Sequence, residues 1–325
     1  MRATMSKANP SIVYLKYNNV WYCYDSSRPP LGAGSLGVVY LGFRCDNQER
    51  VAIKKIHEAY VNNAQIRSLV YYEASMVFDH PRIVKMIGLC ENANRGLYLI
   101  CEYVPGVTLA DRARQLGVAS HNERVRQVVE DISAILPALE HMHNMGFIHR
   151  DIKPSNIMVD NSSNVKLMDL GIAVAMHLTQ YGSIREFVGT PEYASPEQVQ
   201  CGYCDGRSDI YSLGVTMYEL LTDANPLIGK TQEDTFYQQL QLSLPANDMI
   251  PDALYKIIEK ATNKLPEHRY STANEMNQAL LDYLNQTQCP DTQNSKIVGF
   301  DIDVFILGLV IVAIVVVVLF FMLFY

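Results

Sequence analysis

The chain has 325 residues, with 27 Lys and Arg against 34 Asp and Glu, a formal charge of −7. Hydrophobic residues make up 49% and charged residues 19%, which excludes a mainly disordered chain, and there is no excess of positive charge for a nucleic-acid footprint. At roughly 150 residues per domain, the length allows about two domains.

The first ten residues, MRATMSKANP, lack the apolar run of a secretory signal. The seven cysteines are scattered and odd in number, which reads as a reduced cytosolic compartment. Cys201-Gly-Tyr-Cys204 has C-x-x-C spacing. It lacks both the strand-to-helix start of a redox pair and two further zinc ligands, so it reads as two loop or partly buried thiols.

In chain order, Ile12–Tyr17 and Val20–Tyr24 are β-rich runs flanking Asn18-Asn19, a pair suited to a turn with positive φ. Next comes Gly32-Ala33-Gly34-Ser-Leu-Gly37-Val38-Val39. Glycines at this spacing let backbone N–H groups approach phosphates. A dinucleotide-binding loop would open a helix. Here β-branched residues follow, so the loop reads as a hairpin lid.

Val51-Ala52-Ile53-Lys54 is an apolar strand ending on a lysine suited to phosphate. Glu73, in the helical stretch from Ser68, is placed to fix that lysine by an ion pair. Leu97–Cys101 is a further strand. From about residue 107 helical periodicity takes over. Ser120 and Glu123 have the spacing of a capping box. Val125, Val128, Val129, Ile132, Ile135, Leu136, Leu139 and Met142 then form one apolar face. Pro137 lies inside that helix and should kink it. A small β-rich lobe thus precedes a larger helical one.

His149-Arg150-Asp151-Ile-Lys153-Pro-Ser-Asn156 concentrates polar groups just after the helix. Asp151 can accept a proton from an attacking hydroxyl. Asn156 and Asp169, the latter after the strand-like Val165-Lys-Leu, offer oxygen ligands for Mg²⁺.

At the far end, Val304–Tyr325 is 22 residues without a charge. As a helix it spans about 33 Å, enough for a hydrocarbon core of ~30 Å. It is expected to be a membrane-spanning tail anchor, joined by a polar linker over residues 286–303.

Taken together, the Gly-rich loop, V-A-I-K, the helical Glu73, H-R-D-x-K-x-x-N, Asp169-Leu170-Gly171 and Ser195-Pro-Glu197 resemble the protein-kinase family. The resemblance covers residues 25 to 285. Its Asp151-Ile-Lys153-Pro-Ser-Asn156 and Gly189-Thr190-Pro-Glu-Tyr-Ala-Ser195-Pro-Glu197 style is similar to bacterial Ser/Thr kinases of the eukaryotic-like type. It implies an α+β bilobal kinase fold with a β-rich N-lobe and a helical C-lobe, followed by one C-terminal transmembrane helix. The expected divisions are 1–24, an N-terminal extension forming a β-hairpin; 25–101, N-lobe; 102–106, hinge; 107–285, C-lobe; 286–303, linker; 304–325, transmembrane helix.

The same resemblance implies roles. Gly32, Ala33, Gly34 and Gly37 would cover the phosphates of ATP, and Lys54, paired with Glu73, would hold them. Val39, Ala52 and Met158 would touch the adenine, Cys101 would be the gatekeeper, and the backbone from Glu102 to Val104 would bind the adenine edge. Asp151 would orient the substrate hydroxyl, Lys153 would neutralise the transferred phosphoryl, and Asn156 and Asp169 would bind Mg²⁺, with Mn²⁺ as an alternative. Lys153 and Thr190 imply serine or threonine as acceptor. Asp209, Glu197 and Arg269 resemble structural supports.

Arg150 implies docking of a phosphorylated loop, with Thr179 and Ser183 as autophosphorylation candidates beside Tyr181. Glu186 stands where it could partly substitute for a phosphate. The expected partners are proteins bearing Ser/Thr, ATP, a lipid bilayer through residues 304–325 and a second copy for trans-autophosphorylation; no nucleic acid is expected. The expected location is a membrane, with the kinase domain on the cytoplasmic side; in a bacterium this is the plasma (inner) membrane. The alternative is a membrane-anchored pseudokinase scaffold, disfavoured because Lys54, Glu73, Asp151, Asn156 and Asp169 are all present.

Overall fold

The computed structural model describes residues 11–34, 36–92, 96–115, 120–170, 174–175, 187 and 189–288. The chain forms two units, Met1–Tyr283 and Leu284–Tyr325. Of the second, only 284–288 are described, as the last turn of a helix.

Strands β1 (Ile12–Tyr17) and β2 (Val20–Asp25) form the expected hairpin, with Tyr17 opposite Val20. Asn18 and Asn19 sit at φ 45° and 63°, the left-handed pair that a tight hairpin turn demands. The remaining N-lobe strands are β3 (Gly32–Ala33), β4 (Gly37–Arg44), β5 (Arg50–Ile56), β6 (Met86–Glu91) and β7 (Leu97–Glu102). They pair in the order β1-β2-β4-β5-β7-β6, with β3 on β4. The two ends of that order meet. The Tyr17 ring occupies the space above Gly88 of β6, and Cys90 donates from Sγ to Lys16 O at 3.5 Å.

The sheet thus curls toward a closed barrel. Leu15, Tyr22 and Tyr24 pack inside it against Val51, Ile53 and Ile100. The hairpin expected as an extension over 1–24 is therefore a wall of the lobe, and a division after residue 24 cuts through β2. Two helices follow β5, α1 (Glu58–Val61) and α2 (Ala64–Ser75). Val70 of α2 is buried against Ile56, Leu97 and Leu99.

The larger lobe opens with β8 (Gly106–Thr108), α3 (Leu109–Gln115) and α4 (His121–Asn144). Ser120 caps α4 in a full capping box with Glu123. All eight apolar positions read from the periodicity are buried, each worth roughly 1.5–3 kcal/mol against exposure. The helix continues through Pro137, which lies on its exposed side. Water can therefore serve the carbonyl that loses its donor there.

After α4 come β9 (Phe147–Ile148), β10 (Ile157–Asp160), β11 (Val165–Leu167) and β12 (Val174–Ala175). The helices α5 (Pro196–Val199), α6 (Gly206–Thr222), α7 (Gln232–Gln241), α8 (Asp252–Ala261) and α9 (Ala273–Gln288) complete the lobe. α6 is buried nearly throughout. Because α9 runs to Gln288, the linker expected from 286 begins with three helical residues; 289–303 and the expected span 304–325 lie outside the described residues. Among the described residues no helix is long and apolar enough to cross a membrane.

Candidate active site

The β4–β5–β7 ladder decides which side chains share a face. Val39 is opposite Lys54, Lys54 opposite Leu99, and Ala52 opposite Cys101. Cross-strand partners point the same way, so Val39, Ala52, Lys54 and Cys101 line one side of the sheet. The glycines expected over the phosphates divide by role. A Cβ on Gly32 or Gly34 would meet nothing within 4 Å, so both border open space. A Cβ on Gly37 would lie 2.3 Å from Lys55 O. Gly37 is therefore a packing glycine that lets β4 approach β5. An unexpected contact steadies the loop: His57 Nε2 is 3.2 Å from Gly34 O.

Lys54 Nζ lies 2.9 Å from Asp169 Oδ1 and 3.6 Å from Glu73 Oε1. Burial works against its charge, but Asp169 and Glu73 outweigh burial and raise its pKa. Burial likewise works to raise Asp169, and Lys54 overcomes it to hold that carboxyl low. Glu73, farther from the ammonium, is pushed by burial up to about 7.

A pH effect follows. On acidification through about 7, Glu73 takes up a proton and Lys54 loses one of its two anchors. For the ATP site that the resemblance implies, kcat/KM for ATP should fall with that midpoint, since this parameter reports groups of the free protein. Glu73→Gln should be low and flat across the same window. A wild-type profile without an acid limb near 7 would refute the role of Glu73. Stability runs the other way. Between the ordinary 4.5 and about 7 the folded state binds more protons, so this group's contribution to stability declines as pH rises across that window.

The second cluster follows α4. Asp151 Oδ1 accepts from Thr190 Oγ1 at 2.6 Å, and its Oδ2 is 2.8 Å from both Lys153 Nζ and Asn156 Nδ2. Lys153 also donates to Thr190 Oγ1 at 2.6 Å. The Asn156 amide nitrogen is spent on Asp151 O and Oδ2, which leaves its Oδ1 as an oxygen donor. Together with the Asp169 carboxylate, this donor set fits a hard divalent cation such as Mg²⁺.

The backbone around the cluster is held from below. Asp209, fully buried, accepts from His149 N at 2.9 Å, Arg150 N at 2.8 Å and His143 Nε2 at 2.8 Å. Burial works to raise its carboxyl, and the bonds from His143 and His149 hold it below the ordinary range. Arg150 and Asp169 both lie in the left-handed region, at φ 68° and 61°. Such non-glycine conformations persist where their surroundings over-determine them.

Residues 26–281 match the protein kinase domain family. The chain belongs to the protein-kinase family. It is similar to the serine/threonine-protein kinase PrkC of Bacillus subtilis, at 35% identity over 76% of this chain and 38% of that protein. It is likewise similar to two proteins named serine/threonine-protein kinase PknB. The one from Mycolicibacterium smegmatis is 35% identical over 80% of this chain and 43% of its own length. The one from Mycobacterium leprae is 34% identical over 77% and 41%. The chain thus spans about two fifths of the length of these curated relatives.

Within the kinase fold, Glu102 ends β7 and Gly106 begins β8, so the hinge is the three residues between them. Glu102 N–H is already spent on Lys85 O at 2.9 Å, and its carboxylate pairs with Lys166. Val104 is buried; Met158 is half-buried on β10, across from Thr108. The departures from the family pattern have physical roles. Leu170 is buried, as the apolar residue between Asp169 and Gly171 should be. Ser195 is the cap of α5, in a full capping box with Gln198.

Gln198 and His143 were not picked out from the sequence. Gln198 Nε2 donates to Arg150 O at 2.9 Å, and both contacts cross long stretches of chain that no local pattern marks. The Arg150 guanidinium is buried, and its Nε has no partner among the described residues. Thr179, Tyr181, Ser183 and Glu186, the residues expected to answer it, lie outside the described residues. Among the described residues no group of three or more His, Cys, Asp or Glu could hold a metal.

Proposed function

We propose that the chain is a Ser/Thr protein kinase, transferring the γ-phosphoryl of ATP to serine and threonine hydroxyls of proteins. The observation that carries this reading is the joint hold of Lys153 and Thr190 on Asp151. A carboxylate held at Oδ1 by Thr190 and at Oδ2 by Lys153 and Asn156 keeps its remaining lone pairs for an incoming hydroxyl, whose proton it accepts as the oxygen attacks. Lys153 places a positive charge beside the same point, where charge develops on the transferred group. Lys54, clamped by Glu73 and Asp169, binds and orients the phosphates under the glycine-rich β3–β4 hairpin. When bound at Asn156 and Asp169, Mg²⁺, or Mn²⁺ in its place, supplies neutralisation of phosphate charge. The names of the PrkC and PknB relatives support serine and threonine as acceptors. The segment from Gly189 to Glu197 resembles the platform on which protein kinases seat a peptide.

The reading extends to a membrane-tethered enzyme. The 22 uncharged residues of Val304–Tyr325 support a bilayer anchor. The need for ATP puts the catalytic domain on the cytoplasmic side, and on a plasma (inner) membrane in a bacterium. Confinement to a surface raises local concentration and favours self-association for trans-autophosphorylation, with Thr179 and Ser183 as candidate sites. After alkaline carbonate extraction the full chain should remain in the membrane pellet, and a chain ending at Gln288 should not. Release of both would remove the anchor.

The test of activity uses the full chain in membranes with labelled ATP, Mg²⁺ and a basic protein substrate, beside Asp151→Asn. Label on serine or threonine from the wild type alone supports the enzyme. ATP binding without transfer by either protein would favour the pseudokinase scaffold.

A further inference from the structure

The stretch Pro191–Tyr193, next to Thr190, is a single helical turn whose backbone carbonyls are met by side chains from elsewhere. Gln239 of α7 donates from Nε2 to Pro191 O at 3.2 Å and to Glu192 O at 2.7 Å. Its other amide atom, Oε1, accepts from Tyr211 of α6 at 2.7 Å. Tyr211 OH in turn accepts from Lys264 Nζ at 2.7 Å. Gln239 and Tyr211 are both fully buried.

The direction of this chain of bonds is fixed at one end. An ammonium has donors only, so while Lys264 is charged the Tyr211 oxygen must accept from it. The phenolic proton then points at Gln239 Oε1. That proton satisfies the amide oxygen, while both N–H groups of Gln239 face the platform carbonyls, which can only accept. We propose that Lys264, Tyr211 and Gln239 act as positioning residues for the protein substrate, holding the Pro191–Tyr193 platform at its working height through a relay polarised by the lysine charge. The inference rests on the kinase reading above, in which this platform seats the peptide next to Asp151.

The surroundings make the relay sensitive to pH. Burial, and then the charge of Arg269, bring Lys264 down to about 8. The charged and titratable groups around it are Tyr211 from α6, Arg269, and Glu197 of α5, which neutralises Arg269; its own turn also carries Glu267 and His268. Burial raises the Tyr211 phenol, so it stays protonated across this range. Once Lys264 loses its proton, the neutral amine can accept from Tyr211. The phenolic hydrogen is then free to turn away, which leaves Gln239 Oε1 a buried acceptor without a donor and loosens the amide's hold on Pro191 O and Glu192 O.

The test measures KM for a peptide lacking His, Cys and a free amino terminus, separately from KM for ATP, with the full chain. In the wild type, the peptide KM should climb as pH rises through about 8, with KM for ATP level. Lys264→Met should give a raised peptide KM that no longer changes over that range. Gln239→Glu replaces both donors facing Pro191 O and Glu192 O by acceptors, and should raise peptide KM about tenfold or more. Tyr211→Phe removes only the hydroxyl and should do the same more mildly. It serves if the buried glutamate prevents folding. A level wild-type pH profile, or a Tyr211→Phe protein with unchanged peptide KM, overturns the relay. So does a parallel loss of peptide and ATP kinetics with thermal stability, the mark of a merely structural role. A wild type that transfers no phosphate to any protein overturns the kinase reading first, and substrate positioning with it.

Discussion

Asp151→Asn should lower the rate of phosphoryl transfer by roughly 10²–10⁴-fold, the usual contribution of a positioned general base, and leave the fold intact. The hydrogen bonds around the residue show why the two effects separate. Asp151 Oδ2 faces only donors, Lys153 Nζ and Asn156 Nδ2. Oδ1 faces Thr190, a hydroxyl that can donate or accept. An asparagine can therefore turn its oxygen toward Lys153 and Asn156 and its amide nitrogen toward Thr190, with every bond kept. What it cannot do is take a proton. Nucleotide affinity should stay within about twofold, because the phosphate clamp at Lys54 lies on the other lobe and touches none of these atoms. The measurement is steady-state transfer to a serine peptide beside calorimetric nucleotide binding and a thermal melt. Retention of more than a tenth of the wild-type rate would take Asp151 out of the proton-accepting role.

Arg269→Ala should cost roughly 3–5 kcal/mol of stability, the range for stripping one partner from a buried ion pair. The guanidinium is fully enclosed, and each of its N–H groups has an acceptor. Nε donates to Asn263 O at 2.7 Å. Nη1 reaches Glu197 Oε1 at 2.7 Å and Arg207 O at 2.9 Å, and Nη2 reaches Glu197 Oε2 at 2.8 Å and Lys264 O at 3.2 Å. Alanine leaves three carbonyls and a buried carboxylate behind. Arg269→Lys should rescue little, because three donors on a flexible stem cannot replace a planar fork of five.

The Glu197 carboxyl carries a matching signature. Burial works to raise it, but the bonds from Arg269 and Ser208 hold it below its ordinary range. Its contribution to stability is thus present above the ordinary carboxylate pKa and lost as pH falls through the lowered one. Urea unfolding should show a lower midpoint with an unchanged slope for Arg269→Ala. A shift under about 1 kcal/mol would mean that water enters the site and the pair is not truly buried.

Much of the site could be read from residues close in sequence. Lys54, Asp151, Lys153, Asn156 and Asp169 stand in short motifs whose chemistry is explicit, and the structure brings them into two clusters. The turn at Asn18-Asn19 and the cap at Ser120 are equally local, the first resting on the left-handed preference of two adjacent residues and the second on a reciprocal bond between residues three apart. What escaped notice was set by packing. Nothing in Gly37 distinguishes it from Gly32 until β5 lies 2.3 Å from where its Cβ would be. Ser195 looked like a departure from a motif because its role, capping α5, depends on where a helix starts. Gln239 and Lys264 sit in ordinary helical and turn sequence. Their meaning comes from Tyr211, whose hydroxyl meets both only after three distant segments have packed together.

The curled sheet of the small lobe bears on where this protein can be cut. The family match begins at residue 26, downstream of both strands of the hairpin. A fragment started there would lack Leu15, Tyr22 and Tyr24, leaving Val51, Ile53 and Ile100 facing solvent on an uncovered sheet face and Gly42–Arg44 of β4 as an open edge. Exposed, unpaired strand edges are templates for aggregation. A soluble catalytic fragment therefore has to begin ahead of Ile12. β1 meets β2 within its own hairpin, but closure of the curl waits for β6, since the bond from Cys90 back to Lys16 spans 74 residues.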